Sequence, residues 1–221
     1  MIQRLLSFLT TFAFVLGSIC VLQGTKAQPV PEKQQPPAIE KPAPEEKIIP
    51  QKPVDPELEG IQVPIPKEMR IFNKSGSQCV WVTAEMLGNY HHVQGTQRLQ
   101  DQYRHATGPG EFSRVMNQRN VKFKQVVGRD LDFIEEWVTN KKMGCGIGIH
   151  NTHVILICHF ERNKLVKIID NSDRSLRVQT WDWNRFSHEF SGWAFVILPD
   201  NTPQSEVSTW NNNVDDGRLY R

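Results

Sequence analysis

Eleven of the chain's 14 prolines fall between Pro29 and Pro66, recurring every few residues among Glu, Lys and Gln. A stretch of that composition buries too little apolar surface to offset chain entropy, and it favours extended, solvated polyproline II. Residues 28–66 therefore read as a linker, a stalk that holds a domain away from a membrane or wall. Ahead of it, Met1-Ile2-Gln3-Arg4 leads into the uncharged, mainly apolar run Leu5 to Leu22 and then Gln23-Gly24-Thr25-Lys26-Ala27. Residues 1–27 thus have the basic start, hydrophobic middle and small-residue end of a secretory signal. If uncleaved, residues 5–22 are just long enough to serve as a membrane anchor. Cys20 belongs to this leader, and Ile19 before it stands where a lipoprotein signal needs a small residue. The expectation is export, to a secreted, periplasmic or cell-surface location, with membrane tethering through residues 5–22 if the leader stays. Beyond Asp200, residues 201–221 form a polar C-terminal tail.

What remains, residues 67–200, is one domain of ordinary size with room for a real core. Lys and Arg total 26 against 24 Asp and Glu, a formal charge of +2. With no basic block, that balance leaves no electrostatic footprint for nucleic acid. Four cysteines, one of them in the leader, are too few for a small disulfide scaffold or a multi-cysteine zinc module.

Ser77 to Gly88 predicts a helix, with Ser77 able to cap it, Val80, Ala84 and Leu87 at helical spacing, and Gly88 able to stop it. Cys79 falls in its first turn. Gln97–Arg104 and Gly110–Arg119 read as shorter helices, Val121–Val127 as a strand and Asp130–Asn140 as an amphipathic helix. Three β-branched runs follow, Cys145–Ile149, His153–Phe160 and Leu165–Asp170, separated by short turns. Trp193–Leu198 makes a last strand. Helices first and an antiparallel sheet after describe an α+β domain.

Antiparallel pairing across the second turn makes paired residue numbers sum to roughly 324 or 325, which brings His153 close to Asp170 and Asn171. Successive strand residues point to opposite faces, so one of the two meets the ring, and Asp170 is the expected partner. A histidine oriented by an acid is what a general base requires. A thiol at a helix N-terminus supplies the nucleophile, since the helix dipole and a nearby imidazolium both favour the thiolate.

The runs Gly76-Ser77-Gln78-Cys79-Val80-Trp81, Lys142 to Ile147, Thr152-His153-Val154-Ile155-Leu156 and Ile169-Asp170-Asn171 resemble the landmarks of papain-like cysteine peptidases of the bacteriocin-processing, double-glycine leader peptidase group. The resemblance covers about residues 70–198. It implies a papain-like fold with N-terminal helices packed on an antiparallel sheet, Cys79 as nucleophile, His153 as base and Asp170 as orienter, and no cofactor. That group places an oxyanion-hole glutamine six residues before its cysteine. Here that position holds Asn73, a shorter amide, and Gln78 is the second candidate donor. Val80 stands where the group usually has glycine, and Gln78-Cys79-Val80-Trp81 also resembles the cysteine, histidine-dependent amidohydrolase/peptidase domains of cell-wall hydrolases.

The expected function is an exported thiol hydrolase acting on a peptide, protein or peptidoglycan substrate. Its alternatives are a peptidoglycan amidase or endopeptidase and a catalytically silent binding module on the same fold. No metal is expected, because His150 and His153 lack a metal-binding spacing and His91-His92 reads as a helix C-terminal pair. A three-residue turn pairs Cys145 with Ile157, so Cys145 and Cys158 point to opposite faces and are not expected to form a disulfide. Trp181 and Trp183 are candidates for a cleft wall.

Overall fold

A computed structural model of the chain describes residues 55–203 and Ser205. The leader, the first part of the linker and nearly all of the C-terminal tail lie outside these residues. Among the described residues, no helix is long and apolar enough to cross a membrane.

The domain is α+β. Six antiparallel strands run in the order β1-β6-β2-β3-β4-β5: β1 Phe123–Val127, β2 Cys145–Ile149, β3 His153–Glu161, β4 Leu165–Ile169, β5 Val178–Asp182 and β6 Phe190–Ile197. Helix α1, Cys79–Tyr90, packs against β3, β6 and β2. Nine of its residues are buried, spread around the whole helix rather than along one stripe. A helix apolar on nearly all sides belongs inside a core, and α1 is the central rod on which the sheet is laid. Helices α2, Leu99–Gln102, and α3, Pro109–Gln118, follow it. Helix α4, Leu131–Ile134, starts where Asp130 Oδ1 accepts the Phe133 N–H, then widens into a π-helical segment at Glu135–Asn140. Helix α5, Trp183–Glu189, bridges β5 and β6.

Two helix-end expectations are corrected. Ser77 does not cap α1: Gln78 is the N-cap and makes no side-chain cap bond, while the Ser77 hydroxyl donates to the Arg104 carbonyl at 3.3 Å. Gly88 does not stop the helix, which runs on to Tyr90. A Cβ at Gly88 would collide with the Thr96 side chain, so glycine here serves a close approach of chain to helix.

The pairing of Cys145 with Ile157 is as the turn predicts. Among the described residues, all three cysteines are free and buried thiols. Between β3 and β4 the paired numbers shift by one across Cys158, from Ile157↔Ile168 to His159↔Lys167, the mark of a β-bulge.

The linker boundary also moves. Residues 55–66, assigned by composition to the solvated spacer, are part of the domain. Val63 and Ile65 are fully buried and Ile61 is 9% exposed. The Val63 N–H donates to the Cys158 carbonyl at 2.9 Å, and the Gln62 side chain bonds both the N–H and the carbonyl of Phe160. Arg70, its side chain fully buried, ties this strap to the connection between β4 and β5: Nε donates to the Ile65 carbonyl, and Nη1 to Glu57 and to the Leu176 carbonyl at 2.8 Å. Glu57 in turn accepts the Val178 N–H at 2.8 Å.

Candidate active site

Three elements converge at one end of the sheet. Cys79 opens α1, His153 opens β3, and Asp170 follows the last residue of β4. His153 Nε2 and Asp170 Oδ1 are 2.8 Å apart, each side chain about one-fifth exposed. With Nε2 held by Asp170, Nδ1 is the ring nitrogen left for Cys79, which lines the same cavity. Asp170 Oδ1 also accepts from the N–H and hydroxyl of Ser172, at 2.8 and 2.7 Å, which fixes the carboxylate before it meets the ring.

Asn171 faces the other way and is fully buried. Its Nδ2 reaches the Cys79 carbonyl (3.2 Å), Thr83 Oγ1 (2.9 Å) and the Val154 carbonyl (2.8 Å), while the Asn171 backbone carbonyl accepts the Asn73 N–H at 2.8 Å. One side chain thereby holds the start of α1, the start of β3 and the end of β4 together. Neighbouring positions divide the work, Asp170 meeting the imidazole and Asn171 fixing the elements that carry it.

Burial of the His153 ring opposes its charge, but the hydrogen bond and charge of Asp170, with Cys79 beside the ring, outweigh it, pushing His153 up from 6.5 to about 9. Burial pulls the Asp170 carboxyl up, and the bonds from His153 and Ser172 more than reverse that, leaving it at about 2. The stabilisation linked to His153 is complete below its unfolded value of 6.5 and is lost as pH rises toward about 9. That linked to Asp170 is present above 3.8 and is lost as pH falls toward about 2. The site is therefore most firmly held between those two windows. An NMR titration of the His153 ring should show a midpoint well above 6.5 that falls in Asp170→Asn, and an unshifted midpoint in both proteins would contradict the coupling. Burial pushes Cys145 far up and Cys158 to about 12, so neither is an accessible nucleophile.

Cys79 and His153 line a cavity of about 460 Å³, together with Glu111, Asn151, Ser191, Trp193 and neighbouring residues. A bulge shapes one wall. Between Ile147 and Ile149 the β2–β6 register slips, the extra β6 residues include Gly192 at φ +101°, and a Cβ at Gly148 would stand 2.7 Å from Ser191 Oγ. Neither Trp181 nor Trp183 reaches the cavity. Trp181 is buried under Arg185, Trp183 packs on Phe160 and Phe186, and the cavity's tryptophan is Trp193.

The two expected oxyanion donors fare differently. Gln78 Nε2 donates to the carbonyls of Gln100 and Tyr103 (2.5 and 3.1 Å), and its oxygen accepts from Ser75 at 2.7 Å. Its amide is thus a latch between α1 and the α2 region, with no hydrogen left for a substrate. Asn73 is buried. Its Oδ1 accepts the Gly76 N–H at 3.1 Å, while Nδ2 is a buried donor without a partner among the described residues. Among those residues, no group of three or more His, Cys, Asp or Glu side chains is placed to hold a metal ion.

No family model matches the chain, and no curated protein matches it. Solved structures similar to it are peptidase domains. One is a double glycine motif protease from an AMS/PCAT transporter in complex with the leader peptide, at 16% identity and a TM-score of 0.40, covering 55% of this chain and 84% of that one. Another is the peptidase domain of Streptococcus ComA, a bi-functional ABC transporter involved in a quorum sensing pathway, at 14% identity and a TM-score of 0.45, covering 58% and 96%. The peptidase domain of Streptococcus mutans ComA matches at 15% identity and a TM-score of 0.35, over 42% and 76%.

Proposed function

We propose that the protein is a papain-like thiol hydrolase that cleaves a peptide or amide bond through an acyl-enzyme. The observation that carries this reading is the single imidazole that bonds Asp170 at 2.8 Å and lines one cavity together with the Cys79 thiol. In the first step His153 takes the Cys79 proton, sulfur attacks the carbonyl carbon, and the carbonyl electrons move to oxygen. As the tetrahedral species collapses, the C–N bond breaks and His153 gives its proton to the departing amine. Water, deprotonated by the same ring, then attacks the thioester, releases the acid and returns the proton to sulfur. Asp170 holds the ring and balances its charge throughout.

The developing oxyanion needs donors. As the first residue of α1, Cys79 has a backbone N–H with no carbonyl to meet inside the helix, and no side chain caps that end. The unpartnered Asn73 amide is the second donor in this reading. A buried donor without an acceptor costs about 1–3 kcal/mol, and a transition-state role accounts for keeping it. Export through residues 1–27 belongs to the same proposal and rests on their residue pattern.

A peptide carrying a thiol-reactive electrophile should label the wild type at Cys79 and leave Cys79→Ala unlabelled. With a turned-over peptide in hand, Asn73→Ala should fold normally and lose about a hundredfold in rate. A folded wild type that ignores every such electrophile would instead indicate a silent binding module.

A further inference from the structure

Glu111 is an acid inside the cavity that the chemistry above does not use. Among the cavity-lining residues, the ionisable side chains are Cys79, His153 and Glu111. Glu111 is the carboxylate among them. Its carboxylate is about one-third exposed and fixed in place. Oε1 meets His105 Nε2 at 3.0 Å and Arg114 at 3.2 Å, and Oε2 accepts from the Thr107 hydroxyl at 3.0 Å. His105 and Arg114 are each 56% exposed, which screens their share of the charge. A carboxylate oxygen accepts more than one donor, so Oε2 retains capacity beyond Thr107. The same cavity is also lined by Val80, Val154 and Trp193, apolar surface along which an aliphatic stem can lie while its charged end reaches a polar group.

We propose that Glu111 is a specificity-determining residue that binds the ammonium of an aminoalkyl side chain, lysine-like, on a peptide lying across Cys79. This rests on the proposed peptide-cleaving site and narrows its substrate class. The hydrogen bond is charge-assisted: the ammonium donates and Oε2 accepts.

Binding is measured without turnover, on the full chain carrying Cys79→Ala. The probes are two series of N-acetylated alanine-rich hexapeptides, with one lysine or one norleucine stepped through each position. Acetylation removes the α-amine, so a lysine preference reports the side chain. The expected result is about tenfold tighter binding of lysine than norleucine at one register. Adding Glu111→Gln should bring the ratio near one, and Glu111→Lys should favour a glutamate-bearing peptide over the lysine one. Thermal melting checks that each variant is folded, and the charge reversal keeps the test open if Glu111→Gln folds poorly. Equal binding of the two series, or a lysine preference that survives in Glu111→Gln, overturns the assignment. A wild type that is labelled at Cys79 by peptide electrophiles yet shows no lysine preference overturns this inference while leaving the hydrolase reading in place. If no peptide binds and no electrophile labels Cys79, both are overturned.

Discussion

A chain beginning at Lys67 should fail to fold, although it keeps every helix and strand from α1 to β6. It loses Ile61, Val63 and Ile65, of which the last two are fully buried. At about 1.5–3 kcal/mol for each aliphatic side chain taken from water, the loss is about 5–9 kcal/mol, as large as the stability of many whole domains. It also removes the Glu57 carboxylate and the Ile65 carbonyl from a buried guanidinium, Arg70, and a buried charge that loses its partner is costly in its own right. Calorimetry should show a cooperative transition for a chain beginning at Gln28 and none for the shorter one. Equal melting temperatures would mean that the strap contributes no packing.

The second large effect separates two adjacent residues. Asp170→Asn should leave the fold intact and lower turnover by about a hundredfold or more, because an amide orients the ring without balancing its charge. Asn171→Ala should instead unfold the protein more easily, by about 3 kcal/mol. It removes the buried donor shared by the Cys79 carbonyl, the Thr83 hydroxyl and the Val154 carbonyl. Denaturation and rate must be measured on both variants. An Asn171→Ala protein as stable as the wild type but without turnover would make the third catalytic residue an asparagine.

The grouping of Cys79, His153 and Asp170 was legible because each sits at the end of a strongly patterned element, and strand register converts sequence distance into spatial distance. Even so, the bulge at Cys158 shows that the pairing sum is not constant along β3. Asn171 was legible only as an alternative to Asp170, because its contacts reach α1 and β3, and no local pattern encodes those. The strap was missed because its prolines dominated the composition. Yet Ile61, Val63 and Ile65 alternate with Gln62 and Pro64, a period of two that marks an extended segment with one buried face, and proline is tolerated in such edge segments. Strand β5 was missed for a different reason, since in Val178–Asp182 only Trp181 is buried and the alternation is weak. The start of α5 was readable in principle, for Asp182 Oδ1 accepts the Arg185 N–H in an N-cap. Glu111 could not be placed from the sequence at all: its approach to Cys79 depends on how α3 lies against the sheet.

The most direct test of the account is the site-resolved rate of alkylation of the folded protein by iodoacetamide at neutral pH, read by peptide mass mapping in the wild type and in His153→Ala. Cys79 should be modified fast, at least tenfold more slowly without the imidazole, and Cys145 and Cys158 should stay unmodified until the protein is unfolded. Modification of Cys79 at the same rate in both proteins, or no faster than that of Cys145 and Cys158, would contradict it.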